Sequence, residues 1–468
     1  YFAVPEQVEQ KTTEFTATLE QEEPPEEPPK EEAWEEEKEL ENELEPTENP
    51  VYKDNAVEAD HNETANEEDN HMSKGENMDA VSDTPFKGKS TNSAIGLGGG
   101  AGGAFGGRLG GRENLVARGG GGGTQSAVEM GLKWLDNHQD KTTGSWDSDD
   151  FQAQCKKNTC SGRGSEWCDP GQTGLALLAF LGAGHTHTNG KYKDTVKLAL
   201  KYLKDIQDAD GLFGAQQGHF LYNHCIAALA MAEAYGMTKS PLIKDSAQRG
   251  IDYLVKAQNP GFGWRYKVQP GDNDTSVTGW AVMALKSAKV AEMPVPHEAF
   301  DGAKNWLDSV TDDQYYRTGY IQRGDTGARL QSQMGKYSPA ESCTSISIMS
   351  RVFMGADRGD PLLKGQGDLL SQNLPMWDTN GGPGGTSKID YYYWYYGTLA
   401  MFQLGGDYWK TWNNAMKNAI VKHQRTDGDE RGSWDPIDAW GSEGGRVYST
   451  AVNVLSLEIY YRYERVFK

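Results

Sequence analysis

The sequence predicts an all-α body, a double ring of six helical hairpins or (α/α)6 toroid, behind a disordered acidic and Gly-rich leader. An amphipathic helix, a Gly-rich turn and a more apolar helix recur six times, and self-similarity at a nearly constant period is typical of repeat architectures. The second helix of each unit is apolar on nearly every side, so it has to be buried. Strand patterns of useful length are missing. We therefore expect amphipathic helices outside and apolar helices inside.

Residues 1–94 form an acidic segment rich in Pro and Glu. The first 90 residues carry 28 acidic and 7 basic side chains, whereas the rest of the chain carries 40 and 39, so the net charge of −22 belongs to the leader. Its apolar residues are too sparse to offset chain entropy, and we expect disorder. Neither the leader nor the nearly neutral body has the basic surplus that a nucleic-acid partner requires.

Residues 95–125 contain long glycine runs and predict a flexible tether. These runs lack the strand-then-helix context of a phosphate-binding loop. The toroid domain is predicted to follow at residues 126–468. Leader and tether together indicate a stalk that holds this domain away from another structure.

The repeated units give each helix of the two rings in chain order. The predicted outer helices are centred on residues 128–138, 196–206, 251–255, 303–310, 369–374 and 412–421. The predicted inner helices, rich in Ala, Gly, Ser and Thr, cover residues 173–182, 220–235, 275–288, 342–354, 391–403 and 447–463.

The turn of the third unit shows the connecting motif most completely, with Gln258 followed by Gly261, Phe262, Gly263 and Trp264. A Gln amide at the end of an outer helix can satisfy main-chain groups near the next helix start, and a flat Trp ring can stack on it. Glycine allows the turn a positive φ. We interpret the motif as structural and assign it no catalytic role.

Of the five cysteines, Cys155, Cys160 and Cys168 lie within one polar segment. A Cys155–Cys160 disulfide, which requires an oxidising compartment, is one interpretation, and free thiols in a cytosolic protein are the other. Because exposed free thiols are less expected, the sequence favours the disulfide and an extracytoplasmic, periplasmic or secreted location. No run of about 18 apolar residues predicts a membrane span, so an anchor would lie upstream of Tyr1.

The repeated Gln and Gly-x-Trp turns resemble the QW-type repeats of the terpenoid cyclase and protein prenyltransferase superfamily, which includes squalene–hopene cyclases. The resemblance covers roughly residues 126–468. With its acidic leader and Gly tether, the chain is similar to squalene-cyclase-like proteins of planctomycete-type bacteria, a group that the resemblance implies to be secreted or membrane-tethered. Fold analogy does not establish activity, so each functional position has to be compared.

Squalene-type cyclases protonate an alkene with the middle Asp of an Asp-x-Asp-Asp-Thr motif. The nearest match is the segment from Gly271 through Asp272, Asn273 and Asp274 to Thr275. Aligned on the final Asp-Thr, Asn273 stands in the place of the acid, and an amide is not a strong acid. Asp272 and Asp274 are therefore the remaining catalytic candidates, with capping of the following helix as the alternative for Asp274.

Prenyltransferase β-subunits hold zinc with an Asp-x-Cys on one inner helix and a His on the next. At these places the sequence has Glu341 with Cys343, and Tyr393 instead of the His. Two ligands are fewer than the three that protein zinc sites usually have. We therefore predict no metal site and no cofactor for this protein, and a buried, inert Cys343.

Aromatic residues on the inner helices are the remaining functional signal. The run of six aromatic residues at 391–396 places a ring on every face of one helix, so some rings must face the central cavity. Such a lining suits an apolar or carbocation-like ligand, or a sugar stacked on aromatic faces; rings that only fill the axis are the alternative. The candidate ligand-binding residues are Tyr222, Trp280, Glu341, Asp390, Tyr393, Trp394, Arg446 and Tyr448.

Three functional hypotheses follow. The first is a prenyltransferase- or squalene-cyclase-like toroid that binds an apolar, isoprenoid-type ligand, with catalysis undecided because the cyclase acid and the zinc His are replaced. The second is a noncatalytic extracytoplasmic binding or scaffold domain on a flexible stalk. The third is a glycan-binding or polysaccharide-active toroid. The sequence identifies neither the ligand nor a protein partner.

Overall fold

The computed structural model describes residues 122–157, 160–326 and 333–462. The predicted leader of residues 1–94 and most of the predicted tether of residues 95–125 lie outside the described residues. The first described helix begins at Gly122, four positions before the predicted start of the toroid domain. None of the described helices is long and apolar enough to cross a membrane.

Twelve long helices alternate along the described chain between an outer and an inner position. The outer helices are α1 (Gly122–Asn137), α3 (Lys193–Asp205), α5 (Pro241–Ala257), α7 (His297–Val310), α9 (Pro361–Ser371) and α11 (Gly406–Ile420). The inner helices are α2 (Asp169–Gly182), α4 (Phe220–Thr238), α6 (Thr275–Val290), α8 (Ser342–Phe353), α10 (Tyr391–Leu404) and α12 (Gly441–Leu457), after which a short α13 (Ile459–Arg462) follows.

The six inner helices form a closed ring, because each packs against its two inner neighbours and α12 packs against α2. Nearly every residue of α10 is buried, as expected for a helix that is apolar all round. The outer helices are amphipathic and bury one face; α5, for example, buries Ile243, Ile251 and Leu254. This arrangement confirms the predicted (α/α)6 toroid.

Each outer helix packs chiefly against the inner helix that precedes it in the chain. Thus α3 packs on α2 and α11 packs on α10, whereas α1, which has no described inner helix before it, packs on α12. The tight hairpins therefore run from inner to outer helix, and the longer connections run from outer to inner helix. All of these longer connections meet at the end of the ring where the inner helices begin.

The Gln side chains of the repeated turns join neighbouring outer helices. Gln258 Nε2 donates to the carbonyl of Phe262 in its own turn (2.6 Å) and to that of Ala299 in the first turn of α7 (2.9 Å). The Trp264 indole donates to the Leu254 carbonyl at the end of α5 (2.8 Å). The predicted satisfaction of main-chain groups near a helix start is therefore observed, and that helix is the next outer one.

Candidate functional site

A cavity of about 520 Å³ lies inside the ring at the end where the inner helices begin. Its volume is within the roughly 300–1,000 Å³ that is typical of small-molecule sites. All six inner helices contribute to its wall, which places it on the axis of the toroid. The inner-helix residues of the wall include Gln172, Leu175, Tyr222, Asn223, Ile226, Ser276, Trp280, Ser342, Cys343, Tyr392, Glu443 and Tyr448.

Aromatic side chains form much of this wall. Four come from inner helices, namely Tyr222, Trp280, Tyr392 and Tyr448, and the loops that precede inner helices add Trp167, His219, Tyr266, Tyr320 and Trp440. The rings support one another: His219 stacks on Tyr266 with 3.9 Å between ring centroids, and Trp280 stacks on Tyr395, which lies behind it, at 5.8 Å. The cavity therefore presents rigid aromatic faces, which bind apolar, cationic or sugar ligands.

Three hydroxyl groups form a closed triangle in the cavity wall. The Tyr222 hydroxyl donates to the Tyr392 hydroxyl (2.6 Å), and Ser276 Oγ lies 2.6 Å from Tyr222 and 2.7 Å from Tyr392. Burial raises the pKa of Tyr222 above its usual value, and burial raises that of Tyr392 as well. All three groups are therefore neutral hydroxyls at physiological pH.

Two oxygen atoms of the cavity wall lack a hydrogen-bond partner among the described residues. Gln172 Nε2 donates to the Gly444 carbonyl (3.0 Å), but the buried Gln172 Oε1 accepts no hydrogen bond. The buried Ser342 Oγ is in the same situation. Because a buried polar atom without a partner is costly, these two atoms are natural contacts for a polar group of a ligand.

Among the described residues of the cavity wall, Glu443 is the one that carries a carboxylate group. Its Oε2 accepts a hydrogen bond from Ser165 Oγ (2.7 Å). A second carboxyl group lies behind the wall: Asp438, whose pKa burial raises to about 8, accepts a hydrogen bond from the Tyr448 hydroxyl (3.4 Å).

The two predicted catalytic carboxylates lie outside the cavity wall. Asp272 is exposed and pairs with Arg265. Asp274 is fully buried and caps α6 by accepting a hydrogen bond from the Val277 N–H (2.7 Å), so the capping alternative is confirmed. Burial raises the pKa of Asp274 to about 7, although the main-chain N–H bonds oppose this rise. Asn273, in the place of the cyclase acid, accepts a hydrogen bond from Asn259 (2.9 Å).

Of the predicted ligand-binding residues, Tyr222, Trp280 and Tyr448 line the cavity, and their contact with a ligand stays a prediction. Glu341 and Asp390 do not line the cavity, so the structure corrects their expected placement. Glu341 makes a bidentate ion pair with Arg317, at 2.6–3.1 Å, and Asp390 caps α10 by accepting from the Tyr393 N–H (2.9 Å). Asp390 therefore serves as a helix cap, whereas Glu341, at the start of α8, makes no capping hydrogen bond and is held by Arg317.

Tyr393, Trp394 and Arg446 were also predicted to contact a ligand, and the structure places them away from the cavity. The Tyr393 hydroxyl donates to the Asn373 carbonyl (2.8 Å), and Trp394 packs against Trp377. Successive helical residues point about 100° apart, so of this aromatic run Tyr392 reaches the cavity. Arg446 is buried in an ion pair with Glu430 (2.9 Å).

Sequence reasoning missed Gln172 and the aromatic residues of the loops. Trp167, His219 and Trp440 each stand within two residues of the start of an inner helix, and the long connections hold them over the ring axis. An aromatic residue directly before a predicted inner helix was the sequence signal that could have identified these three residues. Tyr266 and Tyr320 lie deeper in their loops, and the sequence offers no comparable signal for them.

The positions that correspond to a prenyltransferase zinc site do not converge. Cys343 faces the cavity, Glu341 is held by Arg317, and Tyr393 points toward α11, where its ring contacts Trp412. These residues therefore form no common ligand set.

The predicted Cys155–Cys160 disulfide is not formed in the structure, where both are free thiols. Instead of facing only each other, the two sulfur atoms each lie 3.3 Å from Nε2 of His138. This cluster is separate from the axial cavity.

No protein-family model matches the sequence, and no curated protein matches it. Similar solved structures include the α-1,6-mannanase GH76A of Salegentibacter sp. HEL1_6, with 14% identity, a TM-score of 0.49, and coverage of 72% of this chain and 98% of that chain. A type II terpene cyclase of Scytonema in complex with geranylgeranyl dihydroxybenzoate has 13% identity, a TM-score of 0.44, and coverage of 72% and 97%.

A D-mannose isomerase is similar at 12% identity, with a TM-score of 0.49 and coverage of 72% of this chain and 96% of that chain. These proteins share the α/α toroid fold and differ in chemistry. The likeness therefore concerns the fold alone.

Proposed function

We propose that this toroid binds an apolar, isoprenoid-type small molecule in its axial cavity. The observation that carries the proposal is the wall itself, in which four of the inner helices and five of the loops before inner helices contribute aromatic rings. Such a surface stabilises an extended hydrocarbon by burial and a cationic centre by interaction with ring faces. Gln172 Oε1 and Ser342 Oγ, both buried without a partner among the described residues, would hold the polar end of the ligand.

Binding is proposed rather than cyclisation. Asn273 occupies the place of the cyclase acid, and its side chain is engaged with Asn259 outside the cavity wall. Asp274, with a pKa raised to about 7, can carry a proton near neutral pH, but its Oδ1 caps α6. A reaction at this site would therefore need a proton donor other than the group that the cyclase motif supplies.

A glycan ligand is the second candidate, because sugars also stack on aromatic rings and would satisfy Gln172 and Ser342. Glycoside hydrolysis has less support than glycan binding. The usual mechanism needs two carboxyl groups that flank the bond, about 5–10 Å apart. Of the described residues that line the cavity, Glu443 is the one with a carboxylate.

The test is a titration of the full-length protein with geranylgeraniol, followed by tryptophan fluorescence, with mannotriose titrated in parallel. Trp280, Trp167 and Trp440 line the cavity and report directly on its occupation. We expect saturable quenching by geranylgeraniol and no response to mannotriose. Response to mannotriose alone would favour the glycan candidate, and response to neither would refute the proposal.

A matched pair of variants locates the binding. Ala340 lies on the cavity wall in a half-buried loop position, whereas Ala215 is exposed and does not line the cavity. Ala340→Trp places a large ring in the cavity and should weaken geranylgeraniol binding about tenfold or more, the effect of a lost 1.4 kcal/mol or greater. Ala215→Trp should leave the affinity unchanged. Equal affinity in both variants would place the ligand elsewhere.

A further inference from the structure

We propose that His138, Cys155 and Cys160 bind a zinc ion at the periphery of the toroid. The three residues lie outside the axial cavity, on the segment that connects α1 to α2. Imidazole and thiolate are the donors that zinc prefers in proteins, and a set of two Cys and one His occurs in known zinc sites. The proposal does not depend on which ligand the cavity binds.

The distances between the donor atoms suit a tetrahedral ion. His138 Nε2 lies 3.3 Å from Cys155 Sγ and 3.3 Å from Cys160 Sγ, and the three atoms all lie within 4.8 Å of one another. Bonds of zinc to sulfur and nitrogen at tetrahedral angles separate a nitrogen and a sulfur ligand by about 3.6 Å. A shift of a few tenths of an ångström would therefore bring all three atoms to bonding distance of one ion.

The histidine ring is held in the orientation that metal binding requires. His138 Nδ1 lies 2.8 Å from the Trp134 carbonyl, and a carbonyl oxygen can only accept, so Nδ1 carries the proton. Nε2 is then the nitrogen with the free lone pair, and it faces both sulfur atoms. The ring also stacks on Trp134, with 4.1 Å between centroids. A His whose second nitrogen donates to a carbonyl is the usual arrangement around protein-bound metals.

Two thiols face a nitrogen that has a single lone pair. Only one S–H group can donate well to that lone pair, and the other thiol can then hydrogen-bond only to the neighbouring sulfur, which is a weak acceptor. A metal ion between the three atoms would engage all of them strongly, because each donor then contributes one lone pair to the ion.

Hydrogen bonds to the charged side chains of Arg446 and Glu430 hold the loop that carries Cys160. The next residue, Ser161, accepts a hydrogen bond from Arg446 Nε at its carbonyl (2.7 Å) and donates its N–H to Glu430 Oε1 (2.9 Å). Cys155 follows a short 3-10 helix and its N–H donates to the Gln152 carbonyl (3.0 Å). The two cysteines are therefore placed by contacts that do not involve their own sulfur atoms.

A surface cavity of about 440 Å³ borders the cluster and is lined by His138, Cys155 and Asp429, among others. Three protein ligands leave one tetrahedral position, and this cavity gives a water molecule or a small ligand access to it. Lys133 and Arg431 also line the cavity, and their charges favour an anionic ligand at the fourth position.

The test uses the reduced full-length protein and Co²⁺ as a spectroscopic probe, followed by displacement with Zn²⁺. We expect one thiolate-to-cobalt charge-transfer signal per chain, abolished by one equivalent of Zn²⁺. Cys155→Ser and Cys160→Ser should each weaken Zn²⁺ binding by about 100-fold or more, beyond the effect of losing an outer-shell contact. Cys168→Ser, which alters another buried thiol that does not face His138, should bind Zn²⁺ like the unmodified protein.

Circular dichroism checks that each variant is folded. Cys155 is half-buried, so Cys155→Ser keeps the test valid even where the buried Cys160→Ser variant does not fold. A reduced protein without a thiolate–cobalt signal would refute the proposal. The same signal in Cys155→Ser and in Cys168→Ser would refute it as well.

Discussion

The side-chain amide of Gln424 donates a hydrogen bond of 2.8 Å to the main-chain carbonyl of Ala127, which lies 297 residues earlier in the chain. The same amide donates to Gly432 in its own turn (2.8 Å). Gln258 bonds its own turn and the next outer helix in the same way, as do Gln139 and Gln207. The contact of Gln424 therefore joins the last repeated unit to the first and closes the outer ring.

Loss of this contact should lower the stability of the whole ring. Gln424→Ala leaves two carbonyls without their donor at the junction of the chain ends, and we expect the free energy of unfolding to fall by about 1–3 kcal/mol. Urea denaturation followed by circular dichroism measures the change. Gln322→Ala is the control, because Gln322 is exposed. Equal stability of the two variants would show that the amide of Gln424 does not hold the junction.

The buried carboxyl group of Asp274 should make stability depend on pH. Its pKa is raised to about 7 in the folded chain, against about 4 in an unfolded chain. Between these values the folded chain holds a proton that the unfolded chain has released. The contribution of Asp274 to stability therefore falls as the pH rises from about 4 to about 7, and is constant above.

Asp274→Asn tests this dependence, because Asn also caps helices and stays neutral. Relative to the unmodified protein, the variant should gain about 2–3 kcal/mol in unfolding free energy between about pH 5 and about pH 8. Urea denaturation across this range measures the gain. Asp245→Asn, at an exposed position that is not among the charges acting on Asp274, should show no such trend. A parallel pH dependence of Asp274→Asn and the unmodified protein would contradict the raised pKa.

The hydroxyl triangle predicts an energetic coupling between Tyr222 and Tyr392. Each hydroxyl bonds the other at 2.6 Å, so the loss of one already removes their shared bond. The effects of Tyr222→Phe and Tyr392→Phe should therefore not add, with a coupling of about 0.5–1.5 kcal/mol in a double-mutant cycle. Tyr393→Phe serves as the control, because the Tyr393 hydroxyl donates to Asn373 and not to Tyr222. The losses of unfolding free energy caused by Tyr393→Phe and Tyr222→Phe should therefore add.

Arg446 should be a determinant of stability and not of ligand affinity. Its buried guanidinium pairs with Glu430 (2.9 Å) and Asp435 (2.7 Å), and it does not line the axial cavity. Arg446→Leu removes the buried partner of both carboxylates, which keep only longer contacts with Arg425 (3.4 and 3.7 Å), and should cost about 3 kcal/mol of unfolding free energy. Arg323→Leu, which removes an exposed ion pair with Asp313, should cost less than about 1 kcal/mol.

Thermal and urea unfolding of the two Arg variants gives the stability difference, and geranylgeraniol titration of the folded fraction gives the affinity. A changed affinity in Arg446→Leu with unchanged stability would restore Arg446 as a ligand contact.

The fold was predictable because burial on every face leaves a strong sequence signal. The inner helices predicted at residues 275–288 and 391–403 end within two residues of the observed α6 and α10. The outer helix α9 was placed too late, at residues 369–374, although apolar residues stand near both of its ends. Asp360, which caps it by accepting from the Leu362 N–H (2.8 Å), and Pro361 were the missed start signals.

The site was less predictable because it depends on helix rotation and on long loops. Tyr392 and Tyr393 are neighbours of the same residue type, yet one faces the cavity and the other faces α11. The charged residues chosen from the sequence, such as Glu341 and Arg446, found ion-pair partners that are distant in the chain. The sequence shows that charged residues occur near the inner helices. Which of them form ion pairs and which can contact a ligand depends on the packing of the folded ring.

The triangle of Tyr222, Ser276 and Tyr392 also fixes the polarity of the surface that it presents. Three hydroxyls arranged head to tail use all three of their hydrogens within the triangle, and only oxygen lone pairs are left to point outward. This part of the cavity therefore repels carboxylate and phosphate oxygens and attracts an N–H group, an O–H group or a centre of positive charge. For a ligand that binds here as proposed, we expect the electron-poor portion to face the triangle and the electron-rich end to face another part of the wall.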